Sequence, residues 1–299
     1  MRTDTTTPRI SIGMPVYNGA VFLAETLDSL LAQTFTDFEM IISDNASTDA
    51  TPDICQEYSS RDKRIRYIHQ PENLGAARNY NFVLSQARGV YFKWAAHDDL
   101  CEPEFLERCV EVLDRDPSVV LSYASVVHIN ERGAVVEYYD SGFHLVSPNP
   151  AERFHGFFRA PPKCTPIFGV IRRGCLRPEA IGGYPASDRI LLGELSLLGK
   201  LYEVRENLFL RRIHPLISTE ANKTSFKIAE WFDPQNKNKG RVPHWRLMFE
   251  YLKVVGRTSL TTAQRLRCYY EVFRYYLPPR KWLAMGKELI VTSVVPPDS

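Results

Sequence analysis

Nothing in this sequence of 299 residues is built to cross a bilayer. No run reaches the roughly 18 consecutive apolar residues that a spanning helix needs. The opening MRTDTTTPRI holds no apolar stretch of the kind a secretory leader contains. Six cysteines (Cys55, Cys101, Cys109, Cys164, Cys175 and Cys268) are scattered, with no C-x-x-C pair and no zinc-ligand spacing. They read as free thiols of a reducing compartment. Internal repeats and low-complexity tracts are absent as well, which leaves an ordinary globular chain with an expected cytoplasmic location. The apolar fraction of 44% and charged fraction of 24% suit a packed core.

The small net charge of +2 conceals an asymmetry. From residue 237 onward there are twelve Lys/Arg against four Asp/Glu, a balance of +8, so the preceding body carries −6. A basic tail on an acidic body fits two readings: a tail with its own anionic partner, such as a membrane surface, or a solvated helical face. Nucleic acid is not an expected partner, because no aromatic-interleaved module or recognition motif accompanies the charge.

Along residues 9–130, short β-rich runs alternate with helical patterns. RISIGMPVY, DFEMIISDN, RIRYIHQ, GVYFKWAAHDD and SVVLSYASVVHI read as strands. Phe22, Leu23, Leu27, Leu30 and Leu31 mark an intervening helix, and others start near Ser47-Thr48-Asp49, at GAARNYNFVLSQA and at Pro103. Such alternation predicts an α/β fold, a mostly parallel sheet with helices on both faces. Residues 131–165 look loop-rich, a strand is expected around Ile167–Ile171, and GGYPASDRILLGELSLLGK is a glycine-rich turn leading into a helix. LYEVRENLFLRRIH reads as a pair of strands, and NKTSFKIAEWFDPQNKNKGR as a connection or mobile lid. The last 55 residues are helical. Leu266, Tyr270, Phe273 and Leu277 form one stripe and Trp282, Met285 and Leu289 another, each expected to be the buried side of its helix.

Ligands of open α/β sheets bind outside the carboxyl ends of the strands. Those ends here carry Pro15-Val16-Tyr17-Asn18-Gly19, then Ser43-Asp44-Asn45, then His97-Asp98-Asp99. Asp44 is able to accept a hydrogen bond from the imide of a uracil or thymine ring, or to serve as a turn residue. Asp49 reads as a helix cap. Two adjacent carboxylates, Asp98 and Asp99, repel each other unless a cation or donors compensate. A hard divalent ion takes one or two carboxylates together with substrate phosphates; an acidic helix cap is the plainer alternative. His97 lines the same site or is structural. In Asn73-Leu74-Gly75-Ala76-Ala77-Arg78-Asn79, Gly75 permits a tight turn, and Arg78 either pairs with a nucleotide or is solvated.

Taken in order, PVYNG, SDNASTD, NLGAARN, WAAHDD and GGYPASD…RRIH resemble family 2 glycosyltransferases of the GT-A fold, over about residues 9–218. The resemblance implies a GT-A type, Rossmann-like, mostly parallel mixed sheet flanked by helices, with a helical C-terminal extension. It implies a catalytic domain over 1–220, with a nucleotide-sugar-binding half at about 9–130 and an acceptor half at about 131–220, followed by a basic helical extension over 221–299. Pro15, Tyr17 and Asn18 would shape the nucleotide cleft, with Asn45, Asn73 and His97 beside it. Asp44 would meet the base, and Arg78 would help hold the nucleotide. Asp98 would touch the ribose or the metal, Asp99 would ligate Mn²⁺ or Mg²⁺, and His214 would close over diphosphate and metal. Asp188, after the glycine-rich turn, would be the catalytic base of an inverting transfer from a UDP- or dTDP-sugar to a saccharide or lipid-linked acceptor, in bacterial-type polysaccharide or glycoconjugate assembly. Residues 240–299 would touch an anionic membrane. H-D-D stands where D-x-D is usual, and Ser187 where an acidic residue usually precedes the base. The competing readings are a catalytically inactive sugar-nucleotide binder or scaffold, and a sugar nucleotidyltransferase; PVYNGAVFLAET lacks the basic phosphate loop that the latter needs.

Overall fold

A computed structural model of the chain describes residues 7–139, 142–160, 164–215, 217, 225–234 and 243–294. Its first half alternates as the periodicity predicts: β1 (Ile10–Val16), α1 (Ala20–Leu31), β2 (Phe38–Asp44), α2 (Thr51–Arg61), β3 (Ile65–His69), α3 (Ala76–Ser85) and β4 (Tyr91–Trp94). There follow β5 (Leu100–Cys101), α4 (Phe105–Arg115), β6 (Val119–Ile129), β7 (Val135–Tyr139), α5 (Pro150–Arg159), β8 (Val170–Arg172), α6 (Ser187–Leu198) and β9 (Lys200–Arg212). The C-terminal third is helical, with α7 (Ser225–Phe232), α8 (Pro243–Arg257), α9 (Thr262–Tyr276) and α10 (Pro279–Val294).

The strands form one sheet in the order β3-β2-β1-β4-β8-β6-β9-β5, with β7 paired to β6. Strands β1 to β4 are mutually parallel and β9 runs parallel to β6, while β5, β7 and β8 enter antiparallel. The chain lays β2 and β3 on one side of β1 and returns to place β4 on the other. Strand order therefore reverses between β1 and β4, and a crevice opens at their carboxyl ends.

Both faces of the sheet are covered. Ile10, Ile12, Met14 and Val16 of β1 pack with Leu23 and Leu27 of α1 and with Leu106 and Leu113 of α4 on one face. Phe92 and Trp94 of β4 pack with Val83 of α3, Phe154 and Phe157 of α5, and Leu192 and Leu195 of α6 on the other. Tyr251 and Val254 of α8, Cys268 and Val272 of α9, and Met285 of α10 belong to this second core. The C-terminal helices thus share a core with α5 and α6. Arg257 of α8 reinforces the junction, donating to both carboxylate oxygens of buried Glu194 at 2.8 and 2.6 Å.

The second half departs from the sequence expectations in five places. The stretch 131–165 holds strand β7 and helix α5, whose start is explained by Asn149 accepting from the Ala151 amide and by Pro150 in the first turn. The strand expected around Ile167–Ile171 is shortened to β8, because Pro166 opens a 3-10 turn over Thr165–Phe168. The expected strand pair from residue 201 is one strand, β9. Its register against β6 slips between Val204 and Phe209, where Arg205, Glu206 and Asn207 are exposed as a bulge. The stripe Leu266, Tyr270, Phe273 and Leu277 faces solvent, because Cys268, Val272 and Tyr276 supply the side of α9 that is buried. Of the second stripe, Met285 is buried and Trp282 exposed, and the side chain of Leu289 lies outside the described residues. Within the polar segment after β9, α7 is helical, and residues 235–242 lie outside the described residues.

Candidate active site

A cleft of about 840 Å³ opens where β1 and β4 end. That volume is in the range of small-ligand and cofactor pockets. Pro15, Tyr17, Asn18, Asn45, Asn73, His97, Asp98, Asp99 and His214 line it, nine of the twelve residues singled out from sequence. Asp44, Arg78 and Asp188 do not.

Turn chemistry explains the wall formed by β1 and β2. Asn18 adopts positive φ, accepts the Thr48 amide at 2.8 Å on its side-chain oxygen, and donates its own amide to Ser47 Oγ at 2.9 Å. Asp49 lies just outside both helix starts and accepts the first amide of each, Ala20 of α1 and Thr51 of α2, tying the two turns together. Asn45 accepts the Leu74 amide and donates to Asn73 Oδ1, tying β2 to the loop before α3. Gly19 admits the His97 ring so closely that a Cβ would stand 2.6 Å from it. Asp44 is buried behind this wall. Its carboxylate accepts from the Ser47 amide at 2.9 Å and the Tyr67 hydroxyl at 3.0 Å, with His69 Nδ1 at 3.0 Å.

The acidic wall is set by β4 and β9. Asp98 Oδ2 lies 3.0 Å from His214 Nε2, and Asp99 Oδ1 accepts the Arg212 amide at 2.9 Å. Burial alone would raise the Asp98 carboxyl, but the His214 hydrogen bond and the charge of His97 bring it below the usual range. Burial, then the neighbouring charge of Asp98, push Asp99 up to about 7, against the pull of Arg211, the Arg212 amide and Lys93. Two carboxylates held side by side in a buried wall resist being ionised together, so that one is forced toward neutrality.

Among the described residues no group of three or more His, Cys, Asp or Glu could enclose a metal by itself. Two carboxylates facing a cleft nevertheless fit a hard divalent ion whose remaining ligands come from a diphosphate and water. Among the described residues the buried Nδ1 of His214 has no hydrogen-bond partner, and the ring is held through Nε2 and by Phe22, whose centroid is 4.7 Å away.

Asp188 sits at the start of α6, after Ala186 in a left-handed conformation. Its Oδ1 accepts the Arg189 amide at 2.8 Å. Enclosure by protein raises this carboxyl, with the Arg189 amide and the Cys164 thiol opposing the rise. The hydroxyl of Tyr80, which lines the cleft, is raised first by burial and then by the charges of Asp98, Asp99 and Asp188 together. The three carboxylates are therefore within electrostatic reach of one ring that lines the cleft. Arg78 is exposed and points its guanidinium toward Asp233, at 3.8 Å.

Sequence reasoning missed Tyr80, Arg211, Arg212 and Trp231, all of which line the cleft. Arg212 is the largest omission. Fully buried, it donates from Nε to the Asp98 carbonyl, from one terminal nitrogen to the Asn130 and Glu131 carbonyls, and from the other to Glu25 Oε2 at 2.7 Å. The signal was present in RRIH, where two arginines end a strand, but only His214 drew attention.

Replacing Arg212 by Met should cost about 2–4 kcal/mol, because the carbonyls of Asp98, Asn130 and Glu131 each lose a charged donor. Urea unfolding of the native chain and the variant measures this, and Glu25→Gln, which removes only a half-exposed partner, should cost under about 1 kcal/mol.

Three comparisons bear on this geometry. A putative glycosyltransferase, EpsH, of Bacillus subtilis is 36% identical over 121 residues, covering 40% of this chain and 35% of its own. TarS of S. aureus, residues 1–349 in complex with UDP-GlcNAc, superposes with a TM-score of 0.66 at 19% identity, over 90% of this chain and 72% of that one. The mannosyltransferase PcManGT of Pyrobaculum calidifontis, in complex with GDP-Man and Mn²⁺, gives a TM-score of 0.51 at 20% identity, over 97% and 88%. The fold is the GT-A arrangement that the motifs implied. The chain spans only about a fifth to two fifths of the length of the first curated relatives it matches. The family model for glycosyl transferase family 2 matches residues 11–176, more than half of the chain, and the protein belongs to that family.

Proposed function

We propose that the protein is an inverting glycosyltransferase that moves a sugar from a nucleoside-diphosphate donor, a UDP- or dTDP-sugar, to a hydroxyl of a saccharide or lipid-linked acceptor. The observation that carries this reading is the Asp98–Asp99 pair, which closes the carboxyl end of β4 and opens on the cleft beside Arg211 and His214. TarS binding UDP-GlcNAc and PcManGT binding GDP-Man with Mn²⁺ support it.

In this reading the nucleoside lies against Pro15, Tyr17 and Asn18, with the Asn45–Asn73 amide pair at its edge. The buried position of Asp44, its oxygens engaged by Ser47, Tyr67 and His69, makes it the support of the base-binding wall more than a direct contact. Asp98 and Asp99 would hold Mn²⁺ or Mg²⁺, which when bound offsets the charge of the departing diphosphate. Arg211, on the cleft wall, offers a second positive charge there; exposed Arg78 is less well placed. The acceptor oxygen attacks the anomeric carbon, the bond to the diphosphate breaks on the opposite side, and the acceptor proton passes to a carboxylate base. Asp188 is the candidate base: enclosure raises its affinity for a proton, which suits a group that must take one near neutral pH. Asp188 is not among the residues that line the cleft, so side chains at the cleft edge must shift for that transfer.

The Cys164 and Arg189 contacts of Asp188 also suit a helix-start carboxylate with no chemical role, as in a binder that does not turn over. Asp188→Asn separates the two. Transfer should fall roughly 10²- to 10⁴-fold with donor affinity retained, measured by release of nucleoside diphosphate. A native protein that binds donor without releasing it would fit the binder instead.

Metal binding should depend on pH through Asp99. Its proton, held up to about 7, must leave before the carboxylate can serve a cation, whereas Asp98 is already ionised. Apparent Mn²⁺ affinity should therefore rise about tenfold from pH 6 to pH 8 and then level off. Titration calorimetry with UDP present measures this, and Asp99→Asn should abolish the slope.

A further inference from the structure

Helix α9 is apolar on two opposite faces. Cys268, Val272 and Tyr276 turn inward to the core shared with α5 and α8. At 100° per residue, Leu266, Tyr270, Phe273 and Leu277 fall within an arc of about 60° on the other side. They are 64%, 60%, 50% and 57% exposed. The helix is held firmly at its start by Thr261 and Gln264, which cap each other's amides. An apolar row of this length on a fixed helix is a contact surface rather than scattered surface leucines. Trp282 and Leu283 of α10 and Phe249 of α8 are exposed too.

The charge carried by the C-terminal helices is one-sided. Residues 243–294 hold nine Lys/Arg and three Asp/Glu. The three acids are engaged, Glu250 by Lys253, Glu271 by Arg274 and His155, and Glu288 by His244. Arg257 pairs with Glu194 and Arg267 with Glu152, while Arg280 and Lys287 are exposed.

We propose that this face docks on an anionic lipid bilayer. The ring and leucine side chains of α9 would enter the boundary between headgroups and acyl chains, with arginines and lysines against the headgroups. Tyrosine, tryptophan and long cationic side chains are the residue types that suit such a boundary. Pairing with a second copy would bring two basic surfaces together, whereas an anionic surface offsets them. Docking here would hold the cleft near a bilayer, where a lipid-linked acceptor resides.

The test is co-sedimentation of the full chain with phosphatidylglycerol–phosphatidylcholine vesicles and with phosphatidylcholine vesicles alone. It needs neither donor nor acceptor, so its outcome is independent of the transfer reaction. The native chain should sediment with the anionic vesicles only. Leu266→Ser with Phe273→Ser should lower its partition at least about tenfold, with an unchanged Tm because both residues are exposed. Arg280→Glu with Lys287→Glu should weaken it as well, by charge alone. The proposal is overturned by a native chain that stays in the supernatant, by equal recovery on uncharged vesicles, or by a double serine variant that sediments like the native chain. A native dimer that the serine variant splits into monomers would assign the face to a second copy, and likewise overturn it.

Discussion

A guanidinium taken out of water must find acceptors for its donors, and Arg212 finds them in three separate parts of the chain. It draws together the carbonyls of the β6–β7 hairpin, the carbonyl of Asp98 and the carboxylate of Glu25 on α1, while its amide holds Asp99. Phe22 covers its face at 4.6 Å. The acidic turn after β4 lies at a sheet position where strand order reverses, and such a turn has no intrinsic reason to keep one shape. Arg212 gives it one. The next residues of the chain then deliver His214 to Asp98. One buried cation thereby sets the geometry of the whole acidic wall, with Lys93 supplying a second buried charge behind it, over the ring of Phe105.

The rest of the cleft follows from the topology. β1 and β4 end side by side because the chain returns across β1 after laying down β2 and β3. The parallel register puts Val16 opposite Asp44, so the turns after both strands interlock through Asn18, Ser47 and Asp49. Helix α6 reaches the same neighbourhood from the opposite face of the sheet, packed by α5 and α8. Asp188 accordingly starts a helix of the second core rather than joining the wall that Asp98 and Asp99 form. The C-terminal helices steady α6 through Arg257 and Glu194, and their outward surface remains to be covered.

The first half of the chain was legible from sequence because β1, β2 and β4 are fully buried runs and its turns carry side chains whose chemistry is local. Pro15, Tyr17, Asn18 and His97-Asp98-Asp99 could be placed at strand ends by pattern alone. Asp44 was ambiguous in the sequence, since an Asx side chain serves its own turn as readily as a ligand, and the buried contacts with Tyr67 and His69 were too distant in sequence to foresee. Arg212 and Tyr80 went unnoticed for a similar reason: an arginine on a strand and a tyrosine on a helix acquire their roles only from what the fold brings to them. The α9 stripe was misread because periodicity finds an apolar face without saying which way it points; Cys268, Val272 and Tyr276 make a second face with equal claim to the core.

The claim on which the account rests is that Asp98 and Asp99 form the cation and diphosphate end of the cleft. Anomalous diffraction at the manganese edge, from crystals of the protein with Mn²⁺ and UDP, tests it most directly. The account predicts a peak within about 2.5 Å of a carboxylate oxygen of Asp98 or Asp99, with the diphosphate on its other side. A peak elsewhere, or UDP bound in the cleft with no manganese beside those carboxylates, would contradict it.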